Sequence, residues 1–183
     1  MNINKAKLDK LLDAGEVKNI LQHKAIDIFG ESAEIIEVGI KTFKTYLDLR
    51  SYALAALYEI KAEVSGSVVV KKVFASAHST PKKERDYLVG KLISTYLLKN
   101  PANILKIPIS HAFIKDYGLF LQEYIDGELM ENKIRQKKVL SDQVYELLAS
   151  SLVEFQKIKI KFNFKPEQRS NFSDMVKNIK ILE

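Results

Sequence analysis

Apolar and polar positions change period twice along this chain. Over Asn4–Phe29, Leu8, Leu11, Leu12, Val17, Ile20, Leu21, Ala25 and Ile28 recur at helical spacing, interrupted near Gly15 and closed by Gly30. The spacing predicts two short helices or one bent helix. The period then falls to two: Ile36, Val38 and Ile40 alternate with Glu37, Gly39 and Lys41, the pattern of a half-buried strand. Tyr58, Ile60, Ala62 and Val64 alternate with Glu59, Lys61 and Glu63, although Leu54, Leu57 and Tyr58 in an Ala-rich setting also fit a helix. Ser65-Gly66, directly before Val68-Val69-Val70, suits a tight hairpin turn and decides for strand. Three successive antiparallel strands follow, roughly 33–46, 51–64 and 67–76.

Thr80-Pro81 opens the next helix, with Thr80 as N-cap and Pro81 at the first helical position, and Asn100-Pro101 stops it after Leu98. Ile109–Ile114 and Leu119–Tyr124, separated by Lys115-Asp116-Tyr117-Gly118, form a second hairpin. Beyond Gly127 the period is helical again over Glu128–Gln136 and Ser141–Ile160. A polar tail follows over Lys161–Ser170, then a last short helix capped by Ser173. The expected fold class is α+β: a five-stranded antiparallel sheet with a helix between strands 3 and 4, flanked by N-terminal and C-terminal helices. Three segments result: a helical segment 1–30, a sheet-bearing lobe 31–127, and the helices of 128–183.

Composition narrows the function classes. The 183 residues contain no Cys, so disulfide and thiolate chemistry are excluded. His23, His78 and His111 are scattered without ligand spacing, which argues against a zinc site. No apolar run approaches the ~20 residues of a membrane span, and the N-terminus lacks an apolar signal core; with no Cys, a cytoplasmic setting is the default expectation. The net charge of +6 is spread over lysines interleaved with Glu and Asp, the composition of a solvated surface. Without an RNP, C2H2 or GXXG motif, nucleic acid is an unlikely partner on this reading.

Candidate chemistry centres on the third strand and its surroundings. Lys71 shares a strand face with Val69 and Val73, an odd place for a solvent-facing lysine and a sensible one for a lysine in a cleft. Val69 then serves as an apolar roof for a base, and Lys72, on the opposite face, is the less favoured candidate. Glu84 is aligned with Leu88 and Leu92 on the expected buried face of its helix, where it would pair with Lys71. Phe120–Asp126 runs into a sharp turn at Gly127, the form of a strand leading to a hinge.

On V-V-V-K-K-V-F, P-K-K-E-R-D-Y-L-V-G-K-L, L-F-L-Q-E-Y-I-D-G-E-L-M and S-D-Q-V-Y-E-L-L-A-S-S-L-V-E-F-Q-K-I, the chain resembles the aminoglycoside phosphotransferase and choline-kinase group of the protein-kinase-like fold. The resemblance covers about residues 33–160 and implies ATP as the nucleotide. It assigns Lys71 to the phosphates, Glu84 to Lys71, and the Glu123 carbonyl and Ile125 N–H to adenine. Gln156 stands where the family usually has His. The turn Lys44–Ser51 lacks the family's Gly-containing phosphate loop, leaving Thr45, Arg50 or Ser51 for phosphate contact. No H-x-D-x-x-x-x-N loop or later metal-binding Asp follows, so the expectation is an inactive N-terminal part, with Mg²⁺ bound only alongside a C-terminal lobe. The phosphate acceptor stays open among aminoglycoside, choline, sugar and protein hydroxyl. A self-sufficient α+β binding or regulatory module is the alternative reading.

Overall fold

Three short helices replace the one or two that the spacing predicts, and local chemistry explains the breaks. The computed structural model describes residues 3–99, 107–127 and 142–157. Helix α1 (Ile3–Leu12) stops at Asp13, whose carboxylate accepts the Glu16 N–H at 2.9 Å and so caps α2 (Ala14–Gln22). After Lys24 the chain re-enters a single turn, α3 (Ala25–Phe29), closed by Gly30. The strands are β1 (Ala33–Leu47), β2 (Tyr52–Val64) and β3 (Ser67–His78); β1 and β3 run one and two residues past the predicted spans, and β2 starts one residue later. Ser65 and Gly66 both have positive φ, the backbone signature of a two-residue hairpin turn whose twist matches its strands.

Helix α4 (Lys82–Leu98) follows, with Pro81 rather than Thr80 at the N-cap position and no side-chain cap. A second hairpin then pairs β4 (Ser110–Ile114) with β5 (Leu119–Glu123) across a 3-10 turn at Lys115–Tyr117. All neighbouring strands are antiparallel, in the order β1-β2-β3-β5-β4. The fold class is therefore the expected one. Helix α5 (Asp142–Lys157) falls within the predicted 141–160 helix. The helix expected at 128–136, the tail and its last short helix lie outside the described residues. No helix among the described residues is long and apolar enough to cross a membrane.

Strand alternation gives the sheet two different faces. On the core face stand Tyr52, Leu54, Ala56, Tyr58, Ile60 and Ala62 of β2, all buried. Their partners Val73, Ala75 and Ala77 on β3 extend that face, and Leu119 and Leu121 carry it onto β5. Helices α1–α3 cover it with Leu8, Leu11, Val17, Leu21 and Ile28, and the Tyr58 hydroxyl donates to the Leu11 carbonyl at 2.8 Å. The N-terminal helices thus form one of the two layers that enclose the hydrophobic core.

Helix α4 crosses the opposite face. Tyr87 stacks on Phe113 at 6.1 Å between ring centroids and meets Phe120 edge-on at 5.9 Å. Gly90 lets the helix come close: a Cβ there would lie 2.2 Å from the Ser110 hydroxyl. Tyr87, Gly90 and Ser94 therefore line the packing stripe. Leu88 and Leu92, expected on the buried side with Glu84, are 46 % and 42 % exposed, because the aromatic pair and the close glycine turn the helix roughly one residue away from them.

Candidate functional site

The sheet separates the two residues expected to form an ion pair. Lys71 is paired in register with Ile60 and so projects from the core face, whereas Glu84 rides on α4 across the opposite face. Lys71 and Glu84 form no salt bridge. The expectation fails for a physical reason: the apolar neighbours of Lys71 belong to the core beneath the N-terminal helices and do not roof a cleft. The Lys71 ammonium instead donates to the Ile28 carbonyl and lies 5.8 Å from the centre of the Phe29 ring. That carbonyl belongs to the last turn of α3, whose final C=O groups lack intrahelical partners, and the cation also suits the negative end of the helix.

Around Lys71 the core face carries a small polar cluster. Glu123 on β5 faces Lys71; its carboxylate accepts the Ile109 N–H at 3.1 Å, and its own N–H donates to the Ile109 carbonyl at 2.8 Å. His111 sits in the irregularity of β4 between Ser110 and Ala112, 7 % exposed, with Nε2 buried and without a hydrogen-bond partner. Burial lowers the Lys71 pKa while Glu123 opposes the shift. His111 is lowered by burial first and by Lys71 second, against the pull of Glu123 and of the Asp27 main chain. Sequence reasoning missed His111, since the strand irregularity that turns it inward has no local signal.

The remaining predicted positions fall in different places. Val69 shares the core face with Lys71 but sits near the strand end, 36 % exposed. Glu123 closes β5, and Tyr124–Gly127 leave the sheet with Ile125 58 % exposed and without a main-chain hydrogen bond among the described residues. Glu84 lines a separate cavity of about 230 Å³ with Tyr52, His78, Thr80 and Phe113. The β1–β2 turn lies far from both lysines. From Ile60, opposite Lys71, to Tyr52, where the turn begins, the chain rises roughly 26 Å at ~3.3 Å per residue.

That turn also holds an anion of its own. Asp48 accepts the N–H groups of Arg50 and Ser51 at 2.7 and 2.6 Å and receives the Tyr46 hydroxyl. The Tyr46 bond and the two main-chain bonds pull its carboxyl down to about 2. The Arg50 and Ser51 main-chain donors of this loop are thus already engaged by a carboxylate.

On the α4 face the picture is more open. A cleft of about 400 Å³ lies between α4 and the sheet, lined by Phe74, Ser76, Ser110 and Gln122 and, from the helix, Arg85 and Asp86. Its size lies within the range of small-molecule sites. Lys72, opposite Glu59 in register, is exposed on this face two residues from Phe74. Among the described residues no group of three His, Asp or Glu side chains is placed to hold a metal ion. A comparison with protein-family models, curated proteins and solved structures finds no match.

Proposed function

We propose that this chain is the N-terminal, nucleotide-binding part of an ATP-dependent small-molecule phosphotransferase, with Lys72 in the phosphate-holding position that the sequence assigned to Lys71. One observation carries the reading: α4, the helix between β3 and β4, lies across the sheet face from which Lys72 projects. Protein kinases hold nucleotide phosphates with a lysine of strand β3 paired to a glutamate of the following helix, which requires both on one side of the sheet. On the cleft side of α4 stands Asp86, held by Lys83 at 3.0 Å, as the helix carboxylate of this reading in place of Glu84. No H-x-D-x-x-x-x-N loop occurs in the sequence, so this reading expects that the chain by itself transfers no phosphoryl group.

A non-catalytic binding or regulatory module is favoured by one detail, the Asp48 carboxylate that already engages the hairpin donors. Titration of ATP followed by NMR separates the two. The phosphotransferase reading expects shifts around Lys72, Phe74 and Gln122 with affinity near millimolar, equivalent to about 4 kcal/mol. Lys72→Ala abolishes them, while Lys71→Met leaves them intact and lowers stability instead. Shifts lost in Lys71→Met and retained in Lys72→Ala, or no shifts at all, sink the reading.

A further inference from the structure

A β-bulge between Thr42 and Lys44 adds Lys44 to the α4 face, beside Lys41 and Phe43, which alternation already places there. Lys41 pairs with Leu57 and Lys44 with Ala55, so Lys41, Phe43 and Lys44 all project from the same side of β1. Phe43 reaches across β2 to Phe74 on β3; the two rings are 6.2 Å apart and within 22° of parallel. Lys41 lies 5.9 Å from the centre of the Phe43 ring. Beneath this pair β2 contributes Leu57 and the small Ala55, leaving a shallow floor. Phe43 is 49 % exposed although its ring is already paired, and Phe74 also lines the cleft beside α4.

We infer that the Phe43–Phe74 pair is the seat of the nucleotide base, held by stacking, with Lys72, Lys41 and Lys44 attracting the phosphates. This rests on the proposed nucleotide-binding role and makes its substrate class broader: purine nucleoside triphosphates in general, not ATP alone. Rings stack on the π-face that every base has, so stacking tolerates base identity, unlike hydrogen bonding from the Glu123 carbonyl and Ile125 N–H. The charge around the rings suits this occupant, since Lys41, Lys44 and Lys72 stand on that side, with Glu59 directly opposite Lys72 and Glu37 further along β1.

The test is titration of the full chain with ATP, GTP, inorganic triphosphate and a single-stranded oligoadenylate, read by aromatic and backbone NMR shifts. Expected are ATP and GTP dissociation constants within about threefold of each other, with ring shifts at Phe43 and Phe74. Phe43→Ala, at an exposed edge-strand position, weakens both by about fivefold or more and leaves triphosphate binding unchanged. Phe74→Leu, which preserves apolar bulk, does the same. ATP binding that is indifferent to both variants, or that excludes GTP, overturns the stacking seat and leaves the nucleotide-binding role standing. Silence from every nucleotide and from triphosphate overturns both. Oligoadenylate binding far tighter than ATP at the same rings overturns the mononucleotide assignment in favour of a nucleic-acid surface.

Discussion

At His111, burial and missing partners act on the same atom. Nε2 is enclosed and unpaired, and the charged groups facing the ring are Lys71 from β3 and Glu123 from β5, with the Asp27 main chain of α3 behind it. Lys91 of α4 in turn senses Asp27. The folded pKa of His111 lies below its ordinary value of 6.5, so the unfolded chain takes up a proton that the fold resists. The stability this contributes is fully present above about pH 6.5 and is lost as pH falls towards the lowered folded value. Denaturation midpoints should therefore rise with pH up to neutrality and then level off. His111→Gln should flatten most of that slope. His78, lowered in the same direction by partial burial and by Lys82 and Lys83, accounts for a smaller remainder. An unchanged slope in the variant means that folding leaves the His111 pKa where it is in the unfolded chain.

Elements are joined in this molecule by main-chain contacts that tolerate no side chain. Gly118 ends the 3-10 turn with φ of 49°, and a Cβ there would lie 2.1 Å from the His78 carbonyl oxygen. The His78 N–H donates to the Gly118 carbonyl at 3.2 Å, so the β4–β5 hairpin and the end of β3 are fixed backbone to backbone. Gly118→Ala must both strain φ and push the hairpin away from β3, at a cost of about 2–3 kcal/mol. Gly66→Ala has a comparable positive φ of 79° but open space around it, and should cost about 1 kcal/mol. Urea denaturation of the two variants measures the difference; equal losses would mean that the hairpin moves freely. The Gln22 side chain joins elements too: its amide donates to the Ala33 carbonyl at 2.9 Å and accepts the Ile35 N–H at 2.8 Å, covering some of the outer edge of β1.

For the molecule as a whole, the helical segment 1–30 and the sheet are one folding unit. Leu8, Leu11, Val17, Leu21 and Ile28 are each no more than 5 % exposed against the sheet. At about 1.5–3 kcal/mol for each large apolar side chain, their removal costs on the order of 10 kcal/mol, comparable with the whole stability of a domain. The 31–183 chain should therefore not fold alone, and its amide NMR spectrum should lack the dispersion of the full chain. A well-dispersed spectrum would make the N-terminal segment an appendage.

Within single elements the sequence was decisive. The period of two carried β1 and β2, positive-φ-tolerant Ser65-Gly66 carried the turn from β2 to β3, and hydrophobic recurrence carried the N-terminal helices; each is a local rule acting on neighbouring residues. Alternation also places Lys71 and Lys72 on opposite faces. It does not say which face meets which helix. Only packing decides that, because Tyr87 and Gly90 seat α4 on Phe113, Phe120 and Ser110, while α1–α3 take the other face and enclose Lys71. The meeting of Phe43 with Phe74 across β2, the bulge that sets Lys44 beside them and the irregularity that buries His111 are likewise set by strand register, a relation between residues distant in sequence. Elements follow from local chemistry, and the composition of any site here follows from which faces the tertiary fold turns together.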